Sequence, residues 1–326
     1  MSTYDIFNGD ADGLCSLVQL RNANPVEATL ITGVKRDINL LDQVEVKAGD
    51  RITVLDVSMD TNKAALLKAL DAGAEVFYCD HHESGDIPAS PRLTALINTD
   101  ANVCTSLLIN GHLKGRFAEW AVTGAFGDNL NESAQALART IHLSGEQLQQ
   151  LENLGICINY NGYGAALEDL HFHPRDLYRE LVKYTSPFAF IAENAAVFSR
   201  LNDGYHGDMQ TVASLKPEMA DSHAAVFALP NQPWARRVSG VFSNDLANQH
   251  PARAHAVLTE KPDGNYLVSV RAPLSNKQGA SEICKQFATG GGRAAAAGIN
   301  DLPKSELPRF LEVFGNFDRK CTSRLY

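Results

Sequence analysis

The sequence predicts an α/β protein with two domains and a cleft between them. Apolar, strand-like segments alternate with helix-like segments through the first hundred residues, and a second alternation begins near residue 224. The chain has 326 residues, more than one hydrophobic core usually serves. We therefore predict an N-terminal parallel sheet with helices on both faces and a smaller C-terminal α/β domain.

The N-terminal strands are predicted from short runs that are apolar on both faces, a pattern typical of covered parallel sheets. The predicted strands are 3–7, 27–32, 51–57 and 74–79, with helices at 13–23 and 60–72. Residues 102–200 are predicted to be mostly helical. Ser144 begins a capping box, and Pro174 suits the first turn of a further helix.

The C-terminal elements follow the same reasoning. The predicted strands are 224–229, 254–258 and 266–271, and the predicted helices are 233–249, 279–287 and 306–314. Asp263-Gly264-Asn265 is a hairpin-type turn. The predicted domains are 1–195 and 223–326, joined by a connecting segment at 196–222.

Composition indicates an ordinary soluble protein, with 44% hydrophobic and 21% charged residues. The first strand follows the start without a basic region, so we expect no cleaved signal and a cytoplasmic location. The scattered cysteines suggest buried thiols in a reducing compartment; they are Cys15, Cys79, Cys104, Cys157, Cys284 and Cys321. A net charge of −9 argues against a broad grip on duplex nucleic acid, but not against a small phosphate ligand.

Acidic and histidine side chains follow three of the predicted N-terminal strands. Asp10 and Asp12 follow the first, Asp56 follows the strand at 51–57, and Asp80-His81-His82 follows the strand at 74–79. Ligands of open parallel sheets bind beyond the carboxyl ends of the strands. Carboxylates suit magnesium or manganese, and the nitrogen of His81 favours manganese. Asp56 is placed to bridge two ions.

Asp128 is a fifth candidate ligand, because it ends the apolar helical stretch 121–127 and a buried acid needs a cation or hydrogen bonds. Each motif alone has a plainer interpretation. Asp10 and Asp12 fit a solvated turn, His81-His82 a cap and a surface residue, and Asp128 an ordinary helix end. Their joint occurrence favours the metal site.

The run Gly290-Gly291-Gly292-Arg293 is a candidate anion site. Glycines leave backbone N–H groups accessible, and a short alanine-rich helix predicted to follow would add its positive dipole end. Arg293 and Arg271 offer bidentate phosphate contacts. A flexible loop before a closely packed alanine helix is the alternative interpretation.

In this order and spacing, the motifs resemble a known family. Asp10-Ala11-Asp12-Gly13, Asp56, Asp80-His81-His82 and Gly127-Asp128-Asn129 resemble motifs one to four of the DHH phosphoesterase superfamily. The run 290–298 is similar to the glycine motif of the DHH-associated C-terminal domain. The chain length is similar to that of the nanoRNase and phosphoadenosine-phosphate phosphatase branch.

The resemblance implies two divalent ions, usually manganese, with magnesium or cobalt as alternatives. It implies the ligands Asp10, Asp12, Asp56, His81 and Asp128, with Asp56 bridging. His82 would contact the scissile phosphate, and Asp80 would orient a neighbouring histidine. Arg271 would meet the substrate, and the glycine run would hold its terminal nucleotide.

Two residues depart from the family pattern. Asn8 stands where the family usually has a histidine, and its amide oxygen would be a weaker ligand for one metal ion. Arg293 follows the glycines where the family usually has histidine; arginine clamps phosphate better but cannot shuttle a proton.

The predicted activity is two-metal hydrolysis of phosphate esters in a small nucleotide or a short single-stranded oligonucleotide, by a nanoRNase, exonuclease or nucleotide phosphatase. Two alternatives stay open: a nucleotide-binding regulatory protein with little turnover, and an inorganic pyrophosphatase. We expect no membrane partner. The sequence leaves open whether the protein is a homodimer.

Overall fold

Five strands form one parallel sheet in the first of two structural units. The computed structural model describes residues 1–317, and the units are Met1–Gly204 and the chain from Tyr205 onward. The strands of the first unit are β1 (Thr3–Phe7), β2 (Thr29–Ile31), β3 (Arg51–Leu55), β4 (Glu75–Asp80) and β5 (Leu93–Ile97). They lie in the order β2-β1-β3-β4-β5 and pair in parallel throughout. The predicted α/β class is confirmed, and β5 is a strand that the sequence did not predict.

Helices make up most of the rest of the first unit, as predicted for 102–200. They are α1 (Ala11–Ala23), α2 (Lys63–Asp71), α3 (Thr105–His112), α4 (Ala118–Gly127), α5 (Asn131–Thr140), α6 (Gly145–Gly162), α7 (Pro174–Leu181), α8 (Pro187–Glu193) and α9 (Ala195–Val212). The capping box at Ser144 is confirmed at the start of α6, and Pro174 begins α7.

The sheet is covered on both faces, because the two side-chain sets of its central strands are both buried. Alternate residues such as Ile52, Val54 and Tyr78 pack with Leu66 of α2 in one core cluster. The opposite set includes Phe7 of β1, on the face toward α1. This two-sided burial explains why the strands are continuous apolar runs.

The order of the strands singles out one position at the carboxyl end of the sheet. From β1, the chain adds β2 on one side and β3 on the other, so the strand order reverses between β1 and β3. Ligand sites of open α/β sheets lie outside the carboxyl ends of the strands at such a reversal. The segments that follow β1, β2, β3 and β4 all begin at this edge.

A mixed sheet forms the second unit. Its strands are β6 (Met219–Ala220), β7 (Ala224–Leu229), β8 (Ala254–Glu260), β9 (Tyr266–Arg271), β10 (Gly290–Gly292) and β11 (Ala296–Leu302), in the order β10-β11-β9-β8-β7-β6. Its further helices are α10 (Pro233–Gln249), α11 (Ala280–Cys284) and α12 (Leu307–Gly315). The turn at 263–265 joins β8 to the antiparallel β9, which confirms the predicted hairpin.

The alanine-rich helix predicted after the glycine run is wrong. Residues Ala296–Leu302 form β11, which pairs with β9 on one side and β10 on the other. Small side chains suit a strand held between two neighbours, and pairing within the sheet overrides the helix propensity of alanine.

The predicted connecting segment, 196–222, contains the boundary between the two units, and most of it lies in α9. The cysteines at positions 15, 79, 104, 157 and 284 are buried free thiols, as predicted; Cys321 lies outside the described residues. Among residues 1–317, we find no helix with the length and apolar character needed to cross a membrane.

Candidate metal centre

Asp10 enters the site from the N-terminus of α1. Its side chain caps the helix, with Oδ1 accepting a hydrogen bond of 3.1 Å from the backbone N–H of Gly13. A Cβ at Gly13 would lie 2.3 Å from the carbonyl oxygen of Asn8, so this close turn requires glycine. The cap fixes Asp10 at the carboxyl end of β1.

Asp12 is held by the start of α3. Its Oδ2 accepts a hydrogen bond from the N–H of Thr105, and its Oδ1 accepts one from the N–H of Ser106, both at 2.7 Å. The first N–H groups of a helix have no partner inside the helix and carry partial positive charge. The helix terminus therefore orients this buried carboxylate.

Asp56 follows β3 in a left-handed backbone conformation, with φ of +60°. Such a conformation is uncommon for a residue with a side chain and often marks a functional site. Oδ1 of Asp56 accepts a hydrogen bond of 3.2 Å from the hydroxyl of Thr105. Burial, and then the negative charges of Asp12 and Asp10, raise the pKa of Asp56 well above its usual value.

The imidazole of His81 lies among three of the carboxylates. Its Nδ1 lies 2.8 Å from the carbonyl oxygen of Val103, to which an Nδ1–H would donate. In neutral imidazole, that tautomer leaves a lone pair on Nε2. Nε2 lies 3.5 Å from Asp56, 3.7 Å from Asp128 and 3.9 Å from Asp12, measured to a carboxylate oxygen of each.

This donor set fits a divalent cation. Oδ2 of Asp128 is buried and accepts no hydrogen bond within residues 1–317, and it is the atom that lies 3.7 Å from Nε2 of His81. A buried carboxylate oxygen without a donor is costly unless a cation is nearby. Asp12, His81 and Asp128 form one group that could hold a metal ion, and oxygen and imidazole ligands suit manganese and magnesium.

His82 and Asp80 form a pair beside this cluster, and Nδ1 of His82 also lies 3.9 Å from Oδ1 of Asp56. Nδ1 of His82 lies 2.7 Å from Oδ1 of Asp80. Asp80 is fully buried, whereas 36% of the His82 side chain is exposed. A carboxylate at Nδ1 fixes the tautomer and orientation of the imidazole. The motif resemblance implies that Asp80 orients a histidine. In the structure, the histidine that Asp80 contacts is His82.

A lysine that the sequence analysis missed lies beside Asp10. Nζ of Lys35 donates to Oδ2 of Asp10 and, over 3.1 Å, to Oδ1 of Asn159, and it lies 3.9 Å from Oδ1 of Asp128. Although burial favours the neutral acid, the charge of Lys35 lowers the pKa of Asp10 to about 2. Although burial opposes its charge, the carboxylate of Asp10 raises the pKa of Lys35.

Asn8 is buried next to this lysine. Its Nδ2 donates to the carbonyl oxygen of Lys35 over 3.2 Å. Lys35 follows β2, at the sheet edge where the other strands place their acids. The position of Lys35 after β2, like that of the acids after the other strands, is the sequence signal that identifies this cation. Asn159, inside α6, carried no signal of its own.

The other predicted substrate residues lie in the second unit. Arg271 ends β9, where its Nε donates to Oδ1 of Asn244 over 2.8 Å. The glycine run forms β10, and the N–H of Gly290 donates to the carbonyl of Phe287 over 2.9 Å, so this N–H is not accessible. Arg293 is exposed. Arg271 pairs with Ala296 of β11, next to the end of β10, so the predicted arginine and glycine residues share one end of the second sheet.

No protein-family model and no curated protein sequence matches this chain. Solved structures do resemble it. An exonuclease RecJ bound to manganese shares 18% identity over 98% of this chain and 90% of its own, with a TM-score of 0.63. The DHH domain of a member of the s1p family of ribosomal proteins shares 14% identity over 97% of this chain and 86% of its own, also with a TM-score of 0.63.

A pGpG-specific phosphodiesterase, PggH of Vibrio cholerae, shares 15% identity over 97% of this chain and 99% of its own, with a TM-score of 0.55. Similarity at these identities establishes a shared fold. The chain therefore shares the fold of these structures, one of which is a DHH domain.

Proposed function

We propose that this protein is a metal-dependent phosphoesterase that hydrolyses a small nucleotide or a short single-stranded oligonucleotide. The observation that carries the proposal is the position of Nε2 of His81, which lies within 3.9 Å of carboxylate oxygens from Asp12, Asp56 and Asp128. An imidazole lone pair facing two buried acids and the partly buried Asp128 is a ligand set for a divalent cation.

The ion would be held by Asp12, Asp56, His81 and Asp128. Asp10 would add a further negative charge at the same edge of the sheet. A bound divalent ion supplies Lewis-acid activation of the phosphate and of the attacking water. The backbone of α3 orients Asp12, and the carbonyl of Val103 orients His81. These contacts organise the ligands before the ion binds, which lowers the reorganisation cost of binding.

His82 would contact the scissile phosphate. Its Nδ1 faces the buried Asp80, so a proton on that atom is held by a carboxylate while Nε2 serves the substrate. A carboxylate in this position also stabilises the imidazolium form, which can donate to a phosphate oxygen or to the leaving oxygen. In this proposal, Asp80 positions His82 and does not itself touch the substrate.

The nucleotide substrate is supported by what the structural relatives are: an exonuclease and a pGpG-specific phosphodiesterase. The net charge of −9 suits a small substrate better than a long duplex. Arg271 and Arg293, with the glycine strand β10, would bind the terminal nucleotide, as the motif resemblance implies.

The test is hydrolysis of a substrate panel by the Mn²⁺-loaded full chain. The panel contains pGpG, RNAs of two to five nucleotides, phosphoadenosine phosphate and pyrophosphate, with products separated by chromatography. We expect release of mononucleotides, or of phosphate from phosphoadenosine phosphate. Asp56→Asn should reduce turnover to background, because it removes a central carboxylate. Asp60→Asn, an exposed neighbour beyond the same strand, is the matched control.

Three outcomes would contradict the proposal. With the metal confirmed bound, inactivity on every substrate would leave nucleotide binding without turnover as the better description. Hydrolysis of pyrophosphate alone would assign a different substrate class. Full activity of the Asp56→Asn variant would show that the catalytic site lies elsewhere.

A further inference from the structure

We propose that the ammonium group of Lys35 takes the place of one of the two divalent ions that the family resemblance implies, so that this protein works with a single metal ion. The inference rests on the proposed function and specifies the number of metal ions in its site. It comes from the contacts of Lys35 and Asn8, which divide the site into two unequal halves.

The ammonium lies where a cation would have to bind Asp10. It donates to one oxygen of Asp10 and to Oδ1 of Asn159, and it lies 3.9 Å from Asp128. These partners come from α1, α6 and the end of α4, so the positive charge is held from three elements. A Lys ammonium has three donors, and two of them serve Asp10 and Asn159.

The Lys35 segment is itself anchored. Its backbone N–H donates to the carbonyl oxygen of Gly162 over 2.8 Å, and Nζ lies 5.4 Å from the centre of the Tyr163 ring. Gly162 also packs closely against the turn that holds Asp10, because a Cβ there would lie 2.9 Å from the carbonyl oxygen of Gly9 and 3.1 Å from Cα of Asp10. Backbone and side-chain contacts thus hold Lys35 in place beside Asp10.

The ligands on the Lys35 side are poor for a second metal ion. One oxygen of Asp10 accepts from the N–H of Gly13 and the other from the ammonium of Lys35. Backbone donors alone do not exclude a ligand, since both oxygens of Asp12 also accept from backbone N–H groups, but the ammonium is a competing cation. Asn8 provides a neutral amide in place of an imidazole. Its Nδ2 donates to the Lys35 carbonyl, and its buried Oδ1, which accepts no hydrogen bond within residues 1–317, is a weaker metal ligand than an imidazole nitrogen or a carboxylate. A dication bound to Asp10 would also share that carboxylate with an ammonium, and the two positive charges would repel each other.

The opposite half keeps a full ligand set. His81 faces Asp12, Asp56 and Asp128 within 3.9 Å, and Oδ2 of Asp128 accepts no hydrogen bond in the described chain. One divalent ion there and the ammonium of Lys35 together supply three positive charges to the four carboxylates of the site. The net formal charge of these groups is then −1, against +1 if a second divalent ion bound beside the ammonium.

The first experiment counts Mn²⁺ on the full wild-type chain, by equilibrium dialysis with elemental analysis, and records its electron paramagnetic resonance spectrum. We expect one ion per chain with the hyperfine spacing of an isolated Mn²⁺. Two ions with the spectrum of an exchange-coupled pair would overturn the inference and leave the proposed function intact. No bound ion at saturating Mn²⁺ would overturn both.

Variants then test which half holds the ion. Asp10→Asn should keep one ion per chain, and His81→Gln should weaken Mn²⁺ binding at least 10-fold. The reverse pattern would place the ion on the Lys35 side and contradict the assignment. Both comparisons use binding, so they do not depend on turnover.

The combination of Lys35→Met with Asn8→His should create the second position, raising the count to two ions and producing the coupled spectrum. Lys68→Met, at an exposed lysine of α2, is the control and should keep one ion. A folded double variant that still binds one ion would show that Lys35 does not exclude the second. If the double variant fails to fold, the wild-type count and the Asp10→Asn comparison still decide.

Discussion

At the residue scale, Asp80 shows how a buried acid can act through its neighbour. Its Oδ1 lies 2.7 Å from Nδ1 of His82, and its side chain is fully buried. We predict that Asp80→Asn lowers kcat by about 100-fold or more, because the imidazole loses the carboxylate that fixes its tautomer. The measurement is steady-state hydrolysis of the best panel substrate, with its pH profile.

The control for this prediction is the metal content. Asp80→Asn should bind Mn²⁺ with the wild-type stoichiometry and show an altered pH profile, which a purely structural defect would not produce. A variant that loses Mn²⁺ in proportion to its activity would place Asp80 among the groups that support the ion.

Single residues also show where sequence reasoning reached its limit. Asp10, Asp12, Asp56, His81 and Asp128 could be predicted, because acids and histidines beyond apolar strands and helices are conspicuous. Lys35 also follows a predicted strand, but the rule was applied to acids and histidines alone, and Asn159 follows no strand. A lysine in a loop and an asparagine inside a helix are ordinary surface choices in a sequence, and only the folded chain brings them to Asp10.

At the element scale, α4 and α6 approach each other closely through glycines. A Cβ at Gly155 of α6 would lie 2.2 Å from the carbonyl oxygen of Thr123 and 3.0 Å from the backbone nitrogen of Gly127. We predict that Gly155→Ala lowers the free energy of unfolding by about 1–3 kcal/mol, because the helices must separate. Urea unfolding followed by circular dichroism measures the change.

Gly111→Ala provides the matched control. Gly111 also lies in a helix, α3, but a Cβ there would meet no atom within 4 Å. Its stability should be unchanged or should rise by up to about 1 kcal/mol, since alanine favours the helix. Equal destabilisation of both variants would rule out the close contact of α4 and α6 as the cause.

The elements that the sequence predicted well are those with a strong local pattern. β1, β3 and β4 are buried on both faces, so their apolar runs are unmistakable. β5 has a weak pattern, because four of its five residues are only partly buried and the fifth is exposed. For β11, alanines favoured a helix locally, and only pairing with the distant β9 makes the segment a strand.

At the scale of the whole molecule, every proposed metal ligand lies in the first unit. A fragment of residues 1–212, which ends with α9, contains all of them. We predict that this fragment unfolds cooperatively and binds Mn²⁺ as tightly as the full chain. It should not turn over oligonucleotides, because it lacks Arg271 and the glycine strand β10.

Thermal unfolding and Mn²⁺ titration of the fragment check this prediction against the full chain. A folded fragment with no affinity for Mn²⁺ would mean that the second unit contributes to the ion site. A fragment with full activity on oligonucleotides would remove the role proposed for Arg271 and β10.

The left-handed backbone at Asp56 limits how this site can change over evolution. With φ at +60°, the position accepts glycine, asparagine and aspartate readily and other residues at a cost. A lineage that abandons catalysis can therefore replace this acid by asparagine or glycine with little conformational strain. Among relatives of this chain, the residue at position 56 would then distinguish proteins that can hydrolyse a substrate from proteins that keep only the fold.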